Sequence, residues 1–151
     1  MKLEAEGLSL RGHTVLVVED DVTLRTLLVD ILIELGAHAC GFGNAEDALI
    51  HLLENHGNCS LIIADHGVPG TLKGVEFLQM VGEKWPDIPA ILTSGFQLES
   101  LGEGLSSEFL FKPWSVEELT ATIAKALVRK PGIKQQDVDQ HPALDKASRT
   151  L

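Results

Sequence analysis

Three short apolar runs in this chain each finish in charged residues. Val15-Leu16-Val17-Val18 ends in Glu19-Asp20-Asp21, Leu61-Ile62-Ile63-Ala64 ends in Asp65, and Phe109-Leu110-Phe111 ends in Lys112 followed by Pro113. Short continuous apolar runs, rich in β-branched residues, mark strands buried on both faces of a parallel sheet. In an open α/β sheet the carboxyl ends of the strands lie along one edge, where ligands bind. Carboxylates and a lysine gathered at that edge point to a hard cation and a phosphoryl group.

The segments between the runs have helical periodicity. From Asp21 to Leu35 the apolar residues Leu24, Leu27, Leu28, Ile31, Leu32 and Leu35 recur at spacings of three and four. That predicts an amphipathic helix with Asp21 as N-cap and Gly36 as its stop. Ala37–Gly41 reads as a weaker second strand, and Asn44 opens a second helix with Glu46 and Asp47 in its first turn, where negative charge complements the helix dipole. The turn-rich loop His66–Thr71 leads to a third helix, Val75–Lys84, ended by Trp85-Pro86, and then to a strand at Ala90–Thr93. Gln97–Ser107 carries Gly102 and Gly104, each costing about 1 kcal/mol against alanine in a helix, so a short or irregular fourth helix is expected there. Glu108–Phe111 is the fifth strand, and Ser115-Val116-Glu117-Glu118 starts a fifth helix that reaches Arg129-Lys130 and closes at Pro131-Gly132. Five strands alternating with five helices predict a doubly wound (βα)5 domain of class α/β. The expected organisation is a flexible lead at 1–12, one domain over 13–130 and a disordered tail at 131–151.

Charge narrows the function. The formal net charge is -10, and the tail contributes none of it, because Lys134, Lys146 and Arg149 cancel Asp137, Asp139 and Asp145. Such a surface repels nucleic-acid backbones and anionic lipid, so neither is an expected direct partner. Cys40 and Cys59 have no metal-binding spacing and read as buried free thiols. The N-terminal residues lack the apolar stretch of a signal peptide, and no run approaches the roughly 18 apolar residues of a membrane span. A cytoplasmic protein is expected.

The order and spacing of Glu19-Asp20, Asp65, Ser94 with Gly95, Phe109 and Lys112-Pro113 resemble those of the receiver domain of two-component response regulators. The resemblance covers roughly residues 13 to 129 and implies a flavodoxin-like fold with a five-stranded parallel sheet in the order 2-1-3-4-5. It implies that Asp65 is the phosphoacceptor and a metal ligand, that Asp20 is the main acidic ligand of a Mg2+ cofactor, and that Glu19 acts through water. The backbone carbonyl of Gly67 completes the implied metal contacts. Lys112 and Ser94 pair with phosphoryl oxygens, Gly95 leaves room for the group to enter, and Ser94 with Phe109 forms the switch. These residue types suit the chemistry, because an anionic nucleophile meets an anionic phosphorus and positioned charge must offset the repulsion. Asp21 reads as a helix cap rather than a ligand. His66 alternates away from Asp65 and is expected to pack or shape the loop, while Trp114 is expected at the edge of the site and Trp85 at a helix end.

Two features depart from the family pattern. The glycine that commonly follows the loop proline by four residues is Gly74, five after Pro69, so the loop Gly67–Gly74 has one extra residue. Gly67 and Phe96 occupy the variable positions that tune hydrolysis in the family, and Phe96 is expected to shield the phosphoryl group from water. The resemblance implies a phosphoacceptor signalling domain rather than an enzyme, with its own Mg2+-dependent phosphorylation and dephosphorylation chemistry. Its implied partners are a sensor histidine kinase or phosphotransfer protein and a downstream protein target. A dimer through the fourth helix, fifth strand and fifth helix is a further implied contact. A stand-alone regulator is the expectation; a receiver excised from a hybrid kinase is the alternative, which the tail disfavours. A docking module that does not use phosphorylation is the rival from another class, and the intact set of polar residues argues against it. A flavin carrier of the same fold needs Gly, Ser or Thr donors where Glu19-Asp20-Asp21 stands.

Overall fold

Each apolar run forms a parallel strand in the computed structural model, which describes residues 7–95 and 107–129. The strands are β1 (Thr14–Val18), β2 (His38–Phe42), β3 (Leu61–Asp65), β4 (Ala90–Ser94) and β5 (Glu108–Phe111). The helices are α1 (Val22–Glu34), α2 (Ala45–Glu54), α3 (Gly74–Lys84) and α4 (Val116–Arg129). The sheet order is β2-β1-β3-β4-β5, as the resemblance implied. The helix expected over Gln97–Ser107 lies outside the described residues, apart from Ser107 itself. The tail expected at 131–151 also lies outside them.

Alternation along the strands divides the interior in two. Leu16, Ile62 and Leu92 face α2 and α3, where Phe77 and Leu52 are fully buried. Val15, Val17, Ile63 and Ile91 face α1 and α4, where Leu32 and Ile123 complete the layer. With both faces covered, the central strands have no polar side, which is why they read as unbroken apolar runs.

Local signals set the helix ends. The Asp21 carboxylate accepts from Leu24 N at 3.0 Å, and Asn44 accepts from Asp47 N at 2.8 Å. Gly36 takes φ +107, which closes α1 at the residue expected to stop it. Ser115 and Glu118 exchange side-chain to backbone bonds at 2.9 and 3.0 Å, a capping box for α4.

Several expectations need correction. β2 begins at His38 and ends at Phe42, one residue later at each end than Ala37–Gly41, because β1 pairs with it from Thr14↔His38 to Val18↔Phe42. The lead is not loose throughout: Leu10 is fully buried in the α1–α4 layer and its N–H donates to Leu35 O at 2.8 Å. That packing carries the folded unit N-terminal to residue 13. Cys40 and Cys59 are free but half-buried. The Cys59 thiol donates to Leu61 O at 3.2 Å, and burial pushes its pKa up to about 11, so it stays protonated at neutral pH.

Candidate functional site

The strand order reverses at β1, and its neighbour β3 brings the first two acidic segments together. Val18 pairs with Ala64, so the next residues on the two strands, Glu19 and Asp65, emerge side by side. On the other side of β3, Asp65 pairs with Thr93. β4 then pairs Ser94 with Phe111, and Lys112 N donates to Ser94 O at 3.0 Å. Parallel register alone therefore delivers residues from four strands to one edge.

Glu19, Asp20 and Asp65 each place a carboxylate oxygen within 4.8 Å of the others. Lys112 Nζ bridges two of them, 3.0 Å from Asp65 Oδ1 and 3.1 Å from Glu19 Oε1. Asp65 and Glu19 are buried, whereas Asp20 is exposed. Burial pushes the Glu19 carboxyl above its ordinary value, the Asp21 N–H bond at 3.1 Å pulls it back, and the neighbouring Asp65 charge raises it further. Burial alone pulls Lys112 down, but its bonds to Asp65 and Glu19 outweigh that and hold its ammonium above the ordinary lysine value. Two largely desolvated carboxylates on one cation are costly to separate, since removing the cation leaves buried charge without compensation.

Asp65 is held at both oxygens. Oδ1 accepts from Lys112 and from the Thr93 hydroxyl at 3.2 Å, and Oδ2 accepts from Gly67 N at 3.0 Å. Thr93 was not among the residues expected here. The resemblance assigned Ser94 alone from this strand end to the site. Only the β3–β4 register reveals that Thr93 stands beside Asp65.

The metal donor set consists of carboxylate oxygens, with no cysteine or histidine in the cluster. Hard oxygen ligands of this kind suit Mg2+ or Ca2+ rather than a thiophilic metal. The site therefore fits the expected cation.

A family model of the response regulator receiver domain matches residues 15–124. This chain is a response regulator receiver. It is 32% identical over 143 residues to the response regulator protein FleR of Pseudomonas aeruginosa, covering 91% of this chain and 29% of that protein. It is 31% identical over 131 residues to the two-component response regulator PhoP of the same organism, covering 84% of this chain and 57% of PhoP. The receiver thus spans about a third of FleR and little more than half of PhoP. Among solved structures, the response regulator TrrA of Thermotoga maritima in complex with Mg2+–BeF matches with a TM-score of 0.69 and 29% identity, over 76% of this chain and 99% of that one. A receiver domain protein of Clostridium thermocellum shares the fold, with a TM-score of 0.71 and 23% identity over 78% and 96% of the two chains.

The other residues expected at the site are placed as follows. Ser94 is buried at the end of β4. A Cβ at Gly95 would meet nothing within 4 Å among the described residues. Phe109 is 37% exposed on β5 and lines a cavity of about 340 Å³ with Phe111, Pro113, Ala121 and Thr122. Phe96 lies outside the described residues. The Lys112–Pro113 peptide is cis, and Trp114 lines a cavity of about 500 Å³ with Leu24, Leu27, Lys112 and Pro113. His66 is half-buried, its main chain joined to Thr93 O at 2.9 Å and Gly74 N at 3.3 Å. Trp85 caps α3 and packs on Gly57, as expected of a helix-end residue.

The loop between β3 and α3 is tied down at both ends. A Cβ at Gly74 would lie 2.5 Å from Asp65 O and 2.7 Å from His66 Cα, so α3 begins directly against the end of β3 and only glycine fits. Gly70 takes φ +98, and Lys73 is the N-cap residue of α3. Glu46 on α2 accepts from Leu72 N at 3.0 Å and Thr71 Oγ1 at 3.3 Å, while Lys73 Nζ donates to Val68 O at 2.8 Å.

Proposed function

We propose that this receiver accepts a phosphoryl group on Asp65 from a phosphohistidine of a sensor kinase or phosphotransfer protein, and later yields it to water. The observation that carries the reading is Lys112 Nζ held 3.0 Å from Asp65 Oδ1 within a carboxylate trio. An Asp65 oxygen attacks phosphorus, the donor P–N bond breaks, and the neutral imidazole leaves with its proton. In the return step a water oxygen attacks phosphorus, the acyl P–O bond breaks, and inorganic phosphate departs. Glu19, Asp20, Asp65 and the Gly67 carbonyl are the residues that hold Mg2+. When bound, that ion supplies the charge that offsets repulsion between nucleophile and phosphoryl group. The Mg2+–BeF complex of TrrA supports the assignment.

Lys112 and Thr93 orient the nucleophile, and Lys112 then pairs with a phosphoryl oxygen as a compact point charge. Ser94 donates its hydroxyl to another phosphoryl oxygen, Gly95 admits the group, and Phe96 shields it from water. The added charge of about -1.5 to -2 draws Ser94 inward, and Phe109 leaves its half-exposed position to follow. β5 and α4 carry the resulting change to a protein partner or to a second copy of the chain. On this reading the protein works in the cytoplasm.

Incubation with Mg2+ and a small-molecule phosphodonor, read by intact mass, tests the proposal. One added phosphoryl group, lost at alkaline pH and absent from Asp65→Asn, is expected. A folded wild-type protein that gains no mass, and that also fails to bind beryllofluoride, overturns it.

A further inference from the structure

Arg25 belongs to none of the motifs that pointed to the site. It sits on the second turn of α1, half-buried, with Nη1 donating to the main-chain carbonyl of Glu19 at 2.7 Å. That is the short end of the range for a charge-assisted bond. The carbonyl belongs to the peptide joining Glu19 to Asp20, two members of the carboxylate trio. The N–H of Glu19 donates to Phe42 O at 2.9 Å. The backbone is therefore gripped on both sides of Glu19, from β2 through the N–H and from α1 through the carbonyl.

The path of the Arg25 side chain is built into β2 and the turn after it. A Cβ at Gly41 would approach its Cγ and Cδ to 3.0 and 3.1 Å, and one at Gly43 would come within 3.3 Å of Nη1. Neither glycine has a positive φ, so the backbone does not demand glycine at either position. A glycine inside a strand weakens it and marks the close approach of another group. The group that approaches most closely at both glycines is the arginine, with Val29 Cγ2 also 3.3 Å from a Cβ at Gly41. Lys112 balances Glu19 and Asp65 through their side chains, whereas Arg25 acts on the peptide that carries Asp20.

We propose that Arg25 is a positioning residue: it holds the Glu19–Asp20 peptide so that both carboxylates face Asp65 before a divalent cation arrives, and Gly41 and Gly43 leave the room it needs. The inference rests on the reading of the trio as a Mg2+ site. Groups that orient metal ligands without touching the metal are typically worth 10–100-fold in affinity.

The test is a Mg2+ titration of the full chain followed by amide NMR shifts, with urea denaturation of each variant in parallel. Arg25→Gln is expected to weaken Mg2+ binding about 10-fold or more, and Arg25→Lys to recover part of the loss by keeping a charged donor. Gly41→Ala, which leaves Arg25 in the sequence but crowds its stem, is expected to weaken binding in the same direction. A purely structural role lowers the urea midpoint without changing Mg2+ affinity in the folded protein. Wild-type affinity in folded Arg25→Gln, or in Gly41→Ala should the first variant not fold, overturns the proposal. A wild-type protein that shows no more Mg2+ response than Asp20→Asn removes the metal reading itself, and this inference with it.

Discussion

The two loops that bring the carboxylates together are held in opposite ways. Between β1 and α1 the chain has only Glu19, Asp20 and Asp21, and its bonds are mostly local. Asp21 caps α1 through Leu24 N, its own N–H reaches Glu19 Oε2, and Arg25 closes on the Glu19 carbonyl from the next turn. Between β3 and α3 the chain takes residues 66–73, and decisive anchors come from elsewhere. Thr93 O receives the His66 N–H from β4, and Glu46 receives Leu72 N and Thr71 from α2. A short loop finds partners within a turn of itself. A longer loop loses more entropy on closing and is shaped by the distant groups that meet it.

Gly74→Ala should break the longer loop most severely. Its Cβ would enter the backbone of Asp65 and His66 at 2.5 and 2.7 Å, where no flexible side chain can yield. A loss of roughly 3 kcal/mol in urea denaturation is expected, the scale of a severe overpacking. A much smaller loss shows that the start of α3 can shift away from Asp65. Asp21→Ala should weaken the short loop by about 1 kcal/mol, the usual value of an N-cap, and Asp21→Asn should restore nearly all of it. If the asparagine variant is as unstable as the alanine one, the charge beside the trio matters more than the cap.

Glu46→Gln is the mildest change and the one with a pH signature. The Leu72 N–H bond, helped by Thr71, holds the Glu46 carboxyl below its ordinary value of 4.5. A carboxyl lowered by folding adds stability above its unfolded-state pKa and loses it as pH falls through the folded-state pKa. The melting-temperature gap between wild type and Glu46→Gln should therefore be widest near neutral pH and close as pH drops below 4.5. A gap that stays constant into acid shows that the negative charge of Glu46 contributes nothing to the tether.

The same division separates what could be read along the chain from what could not. The cap at Asp21, the helix start at Ser115 and the stop at Gly36 were legible because each acts within three or four residues. The acid pair, Asp65 and Lys112 were legible because each ends an apolar run, and the run shows where its strand finishes. Thr93 was missed because its place beside Asp65 depends on the pairing of β3 with β4. Leu10 was assigned to a loose lead because a single leucine in a polar segment has no periodicity to reveal its burial. Glu46 read only as a first-turn acid that favours the helix dipole, and its bond to a loop 26 residues away was invisible.

The sequence by itself therefore determined the alternation of strand and helix, the ends of most elements and the chemical types that meet at the strand edge. These follow from burial on both sheet faces and from hydrogen bonds within a turn, and both leave a periodic or local mark. The tertiary structure alone decided which hydroxyl touches Asp65, which carboxylate tethers the loop after β3, and which arginine grips the acid pair. Those contacts join groups that are neighbours only once parallel strands have paired in register and helices have covered both faces.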